Sequence, residues 1–179
     1  MPVASQISFF VAGLPQTQAG MREVPILNKA KQVIGKRLIT TGSDDLKPWR
    51  NKVTQTAQYA RNLHHWATLT EMPVQMACRF FLPMAVSRPA AVRARGIEYS
   101  FRKPDLDKMV RAIGDSLTEA AIYKDDGQVA RTVTEKFTVH NRALCGVEVV
   151  VQSIDMDDEV LQARLASTLL RRESALRQR

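Results

Sequence analysis

Apolar residues follow two rhythms along the chain, one of period two and one near 3.6, and each change of rhythm marks a predicted element. Gln6 to Gly13 reads as a β-strand with Phe9, Phe10 and Val11 as a buried run, turned by Leu14-Pro15. The polar, basic stretch from Gln16 to Thr41 reads as a hairpin or a long loop, with positive charge around Lys29, Lys31, Lys36 and Arg37. Between Asp44 and Trp66 the period lengthens. Trp49, Val53, Ala57 and Ala60 recur at helical spacing, and Arg50, Lys52, Gln58 and Arg61 take the other face. Pro48 suits an early helical position, and Asp44-Asp45 suit the positive end of the helix dipole. Val74 to Leu82 returns to strand, with Arg79 making one face wet.

Ala85 to Phe101 follows neither rhythm. It carries Arg88, Arg93 and Arg95, with Arg102 just beyond, and reads as a mobile basic loop. Asp105 to Leu117 reads as a helix. Val129 to His140 and Gly146 to Ile154 read as two antiparallel strands joined through Asn141-Arg142. Asp155 to Arg179 reads as a further helix, acidic at its start, arginine-rich at its end, with Leu161, Leu165 and Leu169 as an apolar stripe. The pattern predicts an α+β fold, a small mixed or antiparallel sheet with packed helices. Residues 1–154 form the domain, and 155–179 form an amphipathic C-terminal helix appended to it.

Composition narrows the partner. Twenty-six Lys+Arg against 18 Asp+Glu leave a formal charge of +8, which favours a polyanion because each cation placed on a phosphate releases condensed counterions. Charge alone selects no reaction. Cys78 and Cys145 lie in apolar, strand-like stretches without metal-site spacing, and read as buried thiols in a reducing compartment. No basic-then-apolar leader opens the chain, and no apolar run is long enough to span a bilayer, so a cytoplasmic protein is expected.

The chemistry gathers in two short acidic segments. In the first, Pro104 imposes an extended approach, so Asp105 falls at or beside a helix N-cap and Asp107 in the first turn. Leu106, Met109, Val110, Ile113 and Leu117 share one helical face; Asp107, Lys108, Arg111 and Asp115 share the opposite one. An N-cap and a dipole explain such acids equally well. In the second, Lys124-Asp125-Asp126-Gly127 places two carboxylates on a turn before a strand, and turn chemistry with Gly127 at positive φ accounts for them too. Paired acids in both segments of a basic protein gain a common purpose if they converge on a hard divalent cation, which takes oxygen ligands. Surrounding arginines would then hold phosphate. Tyr99 and Phe101, beside the arginine-rich segment, suit either base stacking or the core. His64-His65 and His140 have no visible partner and read as solvated ends.

Lys103-Pro104-Asp105-Leu106-Asp107, Arg111, Asp115-Ser116-Leu117, Ile122-Tyr123, Asp125-Asp126 and Gln128-Val129 together resemble the signature of RusA-type Holliday junction resolvases. The resemblance implies an α+β homodimer that cuts four-way DNA junctions symmetrically with Mg²⁺, for which Mn²⁺ substitutes. It implies that Asp105, Asp107 and Asp126 are catalytic carboxylates and metal ligands. Arg111 stands where many members have a functional lysine, keeping the charge but not the geometry. Asp115 and Asp125 match positions commonly acidic in the family and are expected around the site. Lys103, Lys108, Arg102, Arg95, Arg93 and Arg88 are the expected DNA contacts. Two readings compete: a basic DNA-binding protein without catalysis, and a related nuclease acting on flaps or forks. The resolvase reading requires Asp126 to fold back against Asp107.

Overall fold

Alternation along Val74–Pro83 (β4) is strict: Val74, Met76, Cys78, Phe80 and Leu82 are buried, while the residues between them face outwards. A strand so patterned belongs at the centre of a sheet with one dry face. In the computed structural model, which describes residues 6–18, 21–28, 31–40 and 44–177, β4 holds that position. The other strands are Gln6–Ala12 (β1), Met21–Leu27 (β2), Val33–Thr40 (β3), Ile97–Tyr99 (β5), Val129–Val139 (β6) and Gly146–Ser153 (β7). Five of them form a mixed sheet of order β1-β7-β4-β6-β5, in which β4 pairs parallel with β6 and antiparallel with β7. The second and third strands form a separate antiparallel hairpin.

Helices Leu46–Leu63 (α1) and Leu106–Glu119 (α3) cover one face of the sheet. Trp49, Val53 and Ala57 of α1 meet Met109, Ile113 and Leu117 of α3 over Ile7, Phe80 and Val149 of the strands. The predicted apolar faces of both helices are the faces buried. The opposite sheet face is not covered in this way. Phe10, Phe81, Phe137 and Tyr99 run across it as a chain of ring contacts at 6.4, 5.7 and 4.7 Å. Beside them Arg79 bridges Glu135 and Glu148 at 2.9 and 3.2 Å, which accounts for the arginine in an otherwise apolar strand.

Three expectations need correction. Residues 85–101 are not one loop, because Ala90–Arg95 forms a short helix (α2) ended by Gly96 at φ 80°, and Ile97–Tyr99 adds the edge strand β5. Four alanines in and around six residues give local helix propensity that a search for apolar periodicity misses. The strands β6 and β7 run antiparallel but are not neighbours; β4 lies between them, so the Asn141-Arg142 segment crosses a strand instead of closing a hairpin. Asp45 occupies the N-cap of α1 without a side-chain capping bond.

The C-terminal helix is present as Glu159–Arg177 (α4), with Asp158 accepting from Leu161 N–H at its start. No described helix is long and apolar enough to cross a membrane. Both cysteines are buried free thiols, and burial pushes the Cys78 thiol up to about 12.

Candidate active site

Asp105 is the N-cap of α3, with extended backbone at φ −71°, ψ 132° following the cis Lys103-Pro104 peptide. Its carboxylate makes no capping bond. It turns instead to Lys108, at 2.8 Å. Lys108 first, then Lys103 and Lys136, hold its carboxyl below the usual carboxylate range. The Lys108 ammonium is raised in return, chiefly by Asp105 and also by Asp107. The ordinary explanation for an acid at this position, capping the helix, therefore does not describe Asp105. Lys136 of β6 fixes the segment before it, donating to the carbonyls of Arg102 at 2.6 Å and Pro104 at 2.8 Å. A strand of the sheet thereby sets where α3 begins.

The second acidic segment is positioned from the far end of α3. The residues after that helix are closed by side chains from the α1–β4 connection: Trp66 donates to Ile122 O, Thr68 to Ala121 O and Arg61 to Ala120 O. Ala121 takes the left-handed conformation at φ 54°. Tyr123, fully buried, donates its hydroxyl to Gly114 O at 3.1 Å, and burial raises its pKa. Next comes a single 3₁₀ turn, Asp126–Gln128, capped by Asp125 accepting from Gly127 N–H at 2.7 Å. Gln128 completes it, accepting from Lys124 and Asp125 N–H and donating to Met72 O, all at 3.0 Å. Gly127 is not at positive φ, contrary to the expectation from turn chemistry. Glycine fits there because a Cβ would stand 2.9 Å from the Asp125 carboxylate.

The six candidate acids and basic groups divide by what holds them. Asp125 caps its turn. Asp115 accepts from Gln18 Nε2 at 2.6 Å and lies 3.7 Å from Arg50, tying the segment after β1 and α1 to α3. Asp105 is paired with Lys108. Asp107, Asp126 and Arg111 are exposed and, among the described residues, make no side-chain hydrogen bond or ion pair. Asp107 shares a helical face with Gly114, two turns on, and Asp126 bears electrostatically on the Tyr123 hydroxyl seated on that glycine.

Mg²⁺ and Mn²⁺ take oxygen donors, and Asp105, Asp107 and Asp126 supply only oxygens, so the donor chemistry fits. Their expected convergence into one preformed group is not present: among the described residues no three His, Cys, Asp or Glu side chains are placed to hold a metal ion.

Of the expected DNA contacts, Arg102, Lys103, Lys108 and Arg95 are exposed, and Arg93 is half-buried. Arg88 is committed elsewhere, to a two-pronged pair with Glu98 at 2.7 and 2.5 Å. Tyr99 and Phe101 are outside the core, 66% and 79% exposed, and Arg102 stacks over the Phe101 ring at 5.6 Å. They border a cleft of about 390 Å³ reaching Lys103 and Pro104, with Leu14 to Thr17 opposite. Sequence reasoning missed Lys136, Gln18 and Tyr123. A lysine in a strand and a glutamine in a loop carry no local signal, since their partners lie 34 and 97 residues away along the chain.

A sequence model of the family described as Endodeoxyribonuclease RusA matches residues 23–152, from β2 into β7, and contains every candidate site residue. No curated protein matches the chain.

Proposed function

The chain belongs to the RusA endodeoxyribonuclease family, and on that footing we propose that it resolves Holliday junctions by Mg²⁺-dependent hydrolysis, with paired symmetric nicks made by a homodimer. The observation that carries the site assignment is the division among the acids. Asp115 and Asp125 are consumed by structure, whereas Asp107 and Asp126 are held at defined places with nothing of their own to bind. An exposed carboxylate held by well-anchored backbone is what a metal or phosphate site requires.

Asp105, Asp107 and Asp126 would hold the cation. When bound, such an ion lowers the pKa of its water and neutralises charge on the leaving oxygen. Arg111, one turn beyond Asp107 on the exposed face, binds a phosphate oxygen as a permanently charged donor. Lys108 gives up Asp105 when the cation arrives and turns to the scissile strand. Arg102 and Lys103 hold the backbone beside the cleft, where Phe101 and Tyr99 offer ring faces to unstacked bases. The pairing of two sites follows from the substrate, because two cuts related by a two-fold require two catalytic centres so related.

Asp107→Asn tests this directly. The variant should bind a four-way junction as wild type does and lose cleavage in Mg²⁺. A cleavage rate equal to wild type removes Asp107 from the site. Flaps and forks in the same assay separate junction resolution from a related preference; preferential cleavage of either would replace the proposed substrate.

A further inference from the structure

The helix α4 lies beyond the family match, which ends at residue 152. It is 19 residues long, about 28 Å at the α-helical rise. Its first two turns lean over the open face of the sheet, where Leu161 and Leu165 of the helix and Gln75, Arg131 and Gln152 of the strands line a groove of about 1000 Å³. Farther along, the stripe leaves the sheet behind, and Leu165 and Leu169 are 44% and 61% exposed. A helix that presents leucines at this spacing to an open groove is built to receive another helix.

The charges say which one. Leu161 and Leu169 lie equally far from Leu165 along the chain, and so do Glu159 and Arg171, and Asp158 and Arg172. Laid antiparallel on a copy of itself with Leu165 opposite Leu165, the helix therefore meets leucine with leucine and each acid with an arginine. Self-complementarity about one residue is the mark of an isologous two-fold contact. Opposed helix dipoles favour the same arrangement. Opposite charges flanking an apolar seam fix register and orientation, as they do in coiled coils.

We infer that α4 is the homodimer clasp of this protein: the groove is filled by α4 of a second copy, antiparallel, with the two-fold axis at Leu165. The inference rests on the paired-cleavage reading for its purpose but not for its test, since mass is measured without DNA and Asp107→Asn probes the nuclease. Sedimentation velocity of the full chain at micromolar concentration should give a dimer. Leu165→Glu sets two carboxylates against each other on the axis and should give a monomer with an unchanged far-UV circular dichroism spectrum. Glu159→Arg and Arg171→Glu should each weaken the dimer at least tenfold, and the two together should restore it at low salt. Leu165→Cys should form a disulfide-linked dimer on mild oxidation, both native thiols being buried. A monomeric wild type overturns the inference. So does a dimer that persists in Leu165→Glu, or a charge-swapped double variant no tighter than its parents.

Discussion

At the scale of single residues, what distinguishes Asp126 from Asp125 is the work of Gln128. Three hydrogen bonds from one amide fasten the 3₁₀ turn to its own first residues and to Met72, leaving the Asp126 side chain outside the knot. Gln128 is thus a positioning residue. Gln128→Ala should cost about 1–3 kcal/mol of stability from the lost bonds. Cleavage should fall further, by about 10–100-fold, since small misplacements of a reacting group are expensive. Junction affinity should stay at the wild-type value, which separates misplacement from unfolding; unchanged cleavage would remove the positioning role. Much of the site was readable at this scale. The spacing of Asp105, Asp107, Arg111 and Asp126 identified its members, and Pro104 located the helix start. What could not be read was which acids are engaged. Asp115 finds Gln18 and Arg50, and Asp105 finds Lys108 in place of its cap, through contacts that only the folded chain defines.

Among the elements, β7 has the strictest demands, because it must fit between β1 and β4. Gly146 opens that strand beneath Phe10, and a Cβ there would collide with the Val11 carbonyl and the Phe10 ring. Gly146→Ala should therefore destabilise the protein by about 1–3 kcal/mol, the usual cost of overpacking. Chemical denaturation measures it, and a midpoint at or above wild type would show that the β1–β7 pair yields more easily than its packing indicates. Element types were legible wherever the rhythm was long, as in α1, α3, β4 and β7. Adjacency was not. Insertion of β4 between β6 and β7 leaves no trace in local patterning, since all three strands alternate alike whichever neighbour they have. The segment containing α2 and β5 failed for a different reason: with six and three residues respectively, neither completes enough periods to register.

For the molecule as a whole, the net charge of +8 is distributed unevenly in use. Arg88 serves Glu98 and Arg79 serves Glu135 and Glu148, whereas Arg102, Lys103 and Arg111 remain available. Junction binding should weaken steeply with salt. Lys103→Ala and Arg111→Ala should each lower the slope of log affinity against log salt by roughly one. Arg88→Ala should leave that slope unchanged, because its charge is already answered within the protein. Fluorescence anisotropy across a salt series, in EDTA to prevent cleavage, reads all three. An equal loss of slope in Arg88→Ala would mean that its pair with Glu98 opens on DNA.

The strand order has a last consequence, for the way the chain comes to be folded. Within the described sheets β1 pairs with β7 alone, so residues 6–12 must wait for residues 146–153 before they have a ladder to join. The parallel pairing of β4 with β6 likewise closes across more than fifty residues. Such long-range closure is slow compared with local helix formation. During synthesis α1 and α3 emerge with their apolar faces ready but without a completed sheet to rest on. The platform beneath Asp105 and Asp107 is finished only when the seventh strand arrives. A nascent or truncated chain that already carries all three aspartates would thus lack the foundation that aligns them, and a DNA-cutting activity would be withheld until nearly the whole polypeptide has been made.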